Sequence, residues 1–112
     1  MTLKECYAAM EGDYDEVFSR LRKDERIQKF VMKFLDDKSF DELKAAVEAG
    51  DLETAFRAAH TLKGVTQNLS FAKLFNCTNK LTELLRGGQM DEALYKQVEE
   101  SYHQTIAAIR EL

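Results

Sequence analysis

Leu52-Glu53-Thr54-Ala55-Phe56-Arg57-Ala58-Ala59-His60-Thr61-Leu62-Lys63-Gly64-Val65-Thr66-Gln67-Asn68-Leu69 repeats its apolar stripe at Leu52, Ala55, Phe56, Ala59, Leu62, Thr66 and Leu69. Steps of three and four residues are the period of an amphipathic helix, and no part of the stretch alternates as a strand would. A helix with one apolar face must bury that face against other elements. Two residues in its middle suit an anonymous surface poorly. His60 is one, and Gly64 is the other, since glycine costs roughly 1 kcal/mol against alanine in a helix interior. The segment therefore predicts an all-α fold and a helix face built to meet something.

The helical period continues on both sides of this segment. Leu3, Tyr7 and Met10 predict a short first helix, and Tyr14, Val17, Phe18 and Leu21 a second. Ile27, Phe30, Val31, Phe34 and Leu35 follow, and Phe40, Leu43 and Val47 resume the stripe after the polar run Asp36-Asp37-Lys38-Ser39. That run reads equally as a kink or as a break. Phe71, Leu74, Phe75, Thr78, Leu81 and Leu85 form the next stripe, and Leu94, Val98, Tyr102, Ile106 and Ile109 the last. Gly12-Asp13, Gly50-Asp51 and Gly87-Gly88 with Asp91 each fit a glycine that closes one helix before an acidic residue opens the next. Asp13 with Glu16, and Ser39 with Glu42, have capping-box spacing. Short turns make consecutive helices antiparallel neighbours. The expected architecture is an antiparallel four-helix bundle over residues 25–112 with an N-terminal helical cap over residues 1–24, one domain overall. Phe30, Phe34, Phe40, Phe71 and Phe75 are assigned to its core. Phe56, Leu3 and Tyr7 are candidates for the border of a docking surface.

Bulk composition narrows the function classes. The 112 residues suffice for one core without metal or disulfide staples, and the 45% hydrophobic content is too high for disorder. The absence of proline leaves glycine as the main helix punctuation. A net charge of −4 argues against nucleic acid as the partner, because phosphate backbones select basic faces. No apolar run is long enough to span a membrane, and Met1-Thr2-Leu3-Lys4-Glu5 lacks the basic-then-apolar pattern of a signal peptide. Cys6 and Cys77 make no disulfide framework: Cys77 reads as a small buried hydrophobe and Cys6 as a free thiol. A reduced, cytoplasmic, monomeric protein is expected. No metal site is expected, because the two histidines are far apart and no Cys or His pair has ligand spacing. No phosphate-binding glycine loop is present, and the carboxylates form no acid-base pair in a cleft.

At about 100° per residue, His60 falls roughly 120° from the centre of its helix's apolar stripe, toward solvent. Lys63, Gly64 and Gln67 stand at i+3, i+4 and i+7 from it, Phe56 at i−4, and Thr61 points elsewhere. Histidine titrates nearest neutrality, so an exposed imidazole keeps a neutral, nucleophilic fraction at cell pH. A phosphoryl group taken there would be a cluster of anionic acceptor oxygens, and Lys63 is one turn away to offset the charge. Gly64 clears space for a second protein, while Gln67 offers a hydrogen bond to the phosphoryl group or the ring. His103, among Tyr102, Gln104 and Glu99, has no comparable company and reads as an ordinary surface residue.

Ala58-Ala59-His60-Thr61-Leu62-Lys63-Gly64, followed by Asn68-Leu69 and then by Leu74 and Leu81, resembles the histidine-containing phosphotransfer (HPt) family of multistep phosphorelays. Ala49-Gly50-Asp51-Leu52 is similar to the turn that leads into that family's histidine helix, and the resemblance spans roughly residues 25–110. It implies a four-helix bundle in which His60 is the phosphorylated residue, Lys63 the charge-stabilising neighbour and Gly64 the point of approach for a receiver domain. It also implies a phosphoryl carrier rather than an enzyme, without ATP or Mg²⁺ of its own, the receiver supplying Mg²⁺ and acidic residues. The implied partners are response-regulator receiver domains and a hybrid sensor histidine kinase. Two positions depart from the family pattern. Ser70 stands where glycine is usual and is expected to cap the following helix. Thr82 stands where a glutamine or acidic residue often supports the histidine, leaving Gln67 or Lys80 to substitute. The alternative is a helical adaptor that docks receiver or kinase domains without carrying phosphoryl. A free-standing protein is the more natural reading of Met1 to Leu112 than a module cut from a larger kinase.

Overall fold

The computed structural model describes residues 1–112 and is helical throughout. Seven α-helices follow in order: α1 (Leu3–Met10), α2 (Tyr14–Leu21), α3 (Asp24–Lys33), α4 (Ser39–Ala49), α5 (Leu52–Asn68), α6 (Ala72–Arg86) and α7 (Glu92–Arg110). A single 3₁₀ turn, Phe34–Asp36, separates α3 from α4, so the polar run is a true break. The chain is a helical bundle. Helix α5 packs along both α4 and α6, α6 also packs against α7, and α1 lies against α7. Phe40 of α4 stacks on Tyr102 of α7, with ring centroids 4.2 Å apart, and this joins the first and last long helices.

Helix boundaries follow local chemistry, which departs from the sequence reading at several turns. Gly50 takes the left-handed conformation (φ +71°) and Asp51 caps α5 by accepting from the Thr54 backbone N–H at 3.1 Å. Hydrogen bonds from the Thr54 hydroxyl and backbone hold the Asp51 carboxyl below its ordinary pKa. Asp91 caps α7 in the same way. At the end of α1, however, the left-handed residue is Glu11 (φ +58°), not Gly12. Gly12 is needed for space instead: a β-carbon there would stand 2.8 Å from the Tyr7 ring and 3.0 Å from the Ser70 carbonyl oxygen. Ser39 does not form the expected capping box. It is buried as the first residue of α4, and Asp37 accepts from its N–H at 2.8 Å. Asp13 caps α2, but Glu16 turns away to the Ser70 hydroxyl, so that box is also incomplete. The one complete box, Thr2 with Glu5, opens α1.

One continuous core runs through all these elements and takes in Leu3, Cys6, Tyr7 and Met10 of α1 and Val17 of α2. Leu3 and Tyr7 are therefore core residues, not the border of a surface. Phe34, Phe40 and Phe71 are buried as expected, with Phe34 edge-on to Phe71 at 5.2 Å. Phe75 is only half-buried, and Phe30 is exposed. The physical reason for Phe30 lies in α3, which packs mainly on α2 and the 3₁₀ turn and buries only Ile27 and Val31. Cys6 is fully buried, and that burial pushes its thiol up to about 11. Cys77 is half-buried, its Sγ 3.4 Å from the Leu74 carbonyl oxygen. Both cysteines are free.

Candidate functional site

Helix α5 presents two distinct faces. Ala55, Ala58, Ala59, Leu62 and Thr66 are buried, and the three alanines let neighbouring helices approach closely. On the opposite side His60 and Gln67 are exposed, with Lys63, Gly64 and Phe56 half-buried beside them. Thr66, the polar member of the inner face, donates its hydroxyl to the Leu62 and Lys63 carbonyls, so it sits in the core without an orphaned group.

No hydrogen bond holds the His60 ring; its aromatic neighbour is Phe56, with centroids 5.9 Å apart and planes at 50°. The Lys63 ammonium makes no ion pair, although most of the α5 charge nearby does, as in Arg57 with Glu53 at 2.9 Å. An unpaired ammonium half-sunk along the helix has its charge available for an incoming anion. Gly64 is the most telling residue. A β-carbon placed on it would meet nothing within 4 Å, so no packing inside this chain demands glycine. Gln67 lies two turns from His60, about 10 Å along the axis, beside a groove that also exposes Asp13, Glu16 and Asn76. Its carboxamide makes no hydrogen bond to the histidine.

On the next helix, neither Thr82, at the family's usual supporting position, nor Lys80, the expected substitute, hydrogen-bonds the histidine. Thr82 is buried and donates to the Thr78 carbonyl at 2.7 Å within its own helix. Lys80 lines a groove on the α6–α7 side, among Gln97, Glu100 and Ser101. The α6 contact on this face is made to Phe56, by another residue. Arg86 of α6 places its guanidinium 4.9 Å from the centre of the Phe56 ring and pairs with Glu83 at 3.1 Å. Sequence reasoning missed Arg86. The available signal was its place at i+4 from Thr82, on the α6 face already suspected of flanking the histidine.

Ser70 acts differently from expectation. Its φ of +56° puts it in the left-handed region where glycine is favoured, and it does not cap α6. Its hydroxyl donates to Glu16 at 2.7 Å and accepts from Arg20 at 2.8 Å. The same Arg20 guanidinium donates to the Asn68 carbonyl at 2.6 Å, satisfying an acceptor left free where α5 ends. Tyr7 adds a buried bond to the Leu69 carbonyl at 2.7 Å, and Asp13 N–H one to the Ser70 carbonyl at 2.8 Å. The N-terminal helices thus clamp the C-terminal end of the histidine helix.

His103 is exposed on α7, edge-on to Phe40 and Tyr102. No helix is long and apolar enough to cross a membrane.

The Hpt domain family model matches residues 33–111 of this chain. The chain belongs to the Hpt domain family, whose members carry out histidine phosphotransfer in two-component phosphorelays and interact with receiver domains and kinases. Comparison with curated proteins and with solved structures gave no match.

Proposed function

We propose that His60 carries the phosphoryl group, relaying it to or from the aspartate of response-regulator receiver domains, with a hybrid sensor kinase among its partners. The observation that supports this reading most is the pairing of an exposed imidazole with Gly64, a glycine that the chain's own packing does not require. In the transfer step the unprotonated ring nitrogen attacks phosphorus as the P–O bond to the aspartate breaks. The electron pair of that bond returns to the carboxylate, and the other ring nitrogen keeps its proton. Transfer of this kind depends on alignment and on offsetting phosphoryl charge more than on acid-base chemistry in the carrier. Lys63 offsets that charge from one turn away. Gln67, further along the face, offers its free carboxamide to the phosphoryl group or to the partner that delivers it. The chain acts as a carrier, the receiver contributing Mg²⁺ and carboxylates.

His60→Gln is expected to abolish labelling by a phosphorylated receiver while circular dichroism stays unchanged, with His103→Gln labelled like wild type. Equal labelling of wild type and His60→Gln would overturn the assignment. A receiver that binds the wild type tightly yet never transfers would favour the adaptor reading instead.

A further inference from the structure

The row His60, Gly64, Asn68 descends α5 at i, i+4 and i+8, one continuous ridge of the helix surface. It does not end in plain solvent. Asn68 opens into a groove of about 230 Å³ between α5 and α3, floored by Phe34 and walled by Val65, Leu69, Phe30 and Lys33. Phe30 is 41% exposed and takes no part in the core cluster. The open ridge and the exposed ring are therefore parts of one surface.

The charge around Phe30 runs against the balance of the molecule. Lys23, Arg26, Lys29 and Lys33 are all exposed, and none makes an ion pair, in a chain whose net charge is −4. By helical spacing Arg26 and Lys33, at i−4 and i+3, share the Phe30 face, and the Lys33 ammonium stands 5.7 Å from the ring centre. Asp37 is the one acid at the groove, and its carboxylate accepts from Ser39 N–H. A partner delivering an aspartyl phosphate is anionic where it meets His60. A stable contact also needs roughly 800 Å² from each side, more than a histidine and a glycine supply.

We infer that the receiver domain docks along the His60–Gly64–Asn68 ridge and seats an apolar side chain against Phe30 in the α3–α5 groove. Arg26 and Lys33 then face its acidic rim. Phe30 is in this account a specificity-determining residue of the transfer, carried on a helix that lies almost wholly before the family-matched segment 33–111. The inference rests on the phosphotransfer reading above.

The test uses the full chain and the receiver domains of the source organism, each phosphorylated with acetyl phosphate. Initial transfer rates are measured against receiver concentration. Phe30→Ser is expected to raise the half-saturating concentration about tenfold, the size of a well-packed contact residue, with the saturating rate retained. Arg26→Glu combined with Lys33→Glu should raise it as well. Met32→Ser is the matched control, because Met32 is 40% exposed on the far side of the same helix, and it should behave as wild type. If Phe30→Ser is indistinguishable from Met32→Ser, the docking site is wrong while phosphotransfer stands. If Phe30→Ser instead dissociates a wild-type dimer and leaves transfer unchanged, the groove belongs to a second copy of the chain. If no receiver labels the wild type, the underlying function is what fails.

Discussion

Gly64 has empty space where a side chain would be, which turns a residue normally unfavourable in mid-helix into a usable probe. Gly64→Ala removes the backbone entropy penalty without a clash, so it should stabilise the protein by roughly 0.5–1 kcal/mol in chemical denaturation. If the ridge beside His60 is where a partner sits, the same variant should transfer phosphoryl more slowly, because its methyl group stands in the contact. A variant that is both more stable and as fast as wild type would remove Gly64 from the interface. Ser70 gives the opposite lesson at the same scale. The family's usual glycine there was legible from the resemblance, yet what serine does in its place was not. Its left-handed backbone is held by bonds to Glu16 and Arg20, residues at least fifty positions away in a chain where only local spacing can be read.

Among the elements, the histidine helix owes its start to local signals and its end to distant ones. Gly50-Asp51 at the start was legible because a left-handed glycine and a side-chain cap are encoded within a few residues. The end is held by Tyr7, Asp13 and Arg20 from the N-terminal helices, which no periodicity announces. Tyr7→Phe keeps the buried ring and removes only the hydroxyl bond to the Leu69 carbonyl. It should lower stability by about 1 kcal/mol, read as a shift in the denaturation midpoint at unchanged slope. An unshifted midpoint would mean that this clamp contributes nothing. Helix α3 shows the limit of the apolar stripe as a predictor. Ile27, Phe30 and Val31 look equivalent in the sequence, but a helix that packs on one side over so few residues buries two of them and leaves Phe30 outside.

For the molecule as a whole, the helical class and the long α4 to α7 segments were readable because a 3.6-residue period is strong over eleven to nineteen residues. The degree to which the N-terminal third belongs to the same core was not. Leu3, Cys6, Tyr7, Met10, Val17, Ile27 and Val31 are all at most 7% exposed, and Gln104 of α7 donates to the Ala9 carbonyl at 2.8 Å. A fragment of residues 33–112 would uncover apolar surface on α5, α6 and α7 together. It should bind a hydrophobic dye and melt without a cooperative transition, whereas the full chain melts sharply. A cooperative fragment would show that the bundle stands without its N-terminal helices. The central claim, that one exposed histidine carries the phosphoryl group, is tested most directly by locating the modification itself. After incubation with phosphorylated receivers, peptide mapping should place an acid-labile, alkali-stable phosphoryl group on the peptide containing His60. Finding it on the His103 peptide, or finding an alkali-labile acyl phosphate on a carboxylate, would contradict the account.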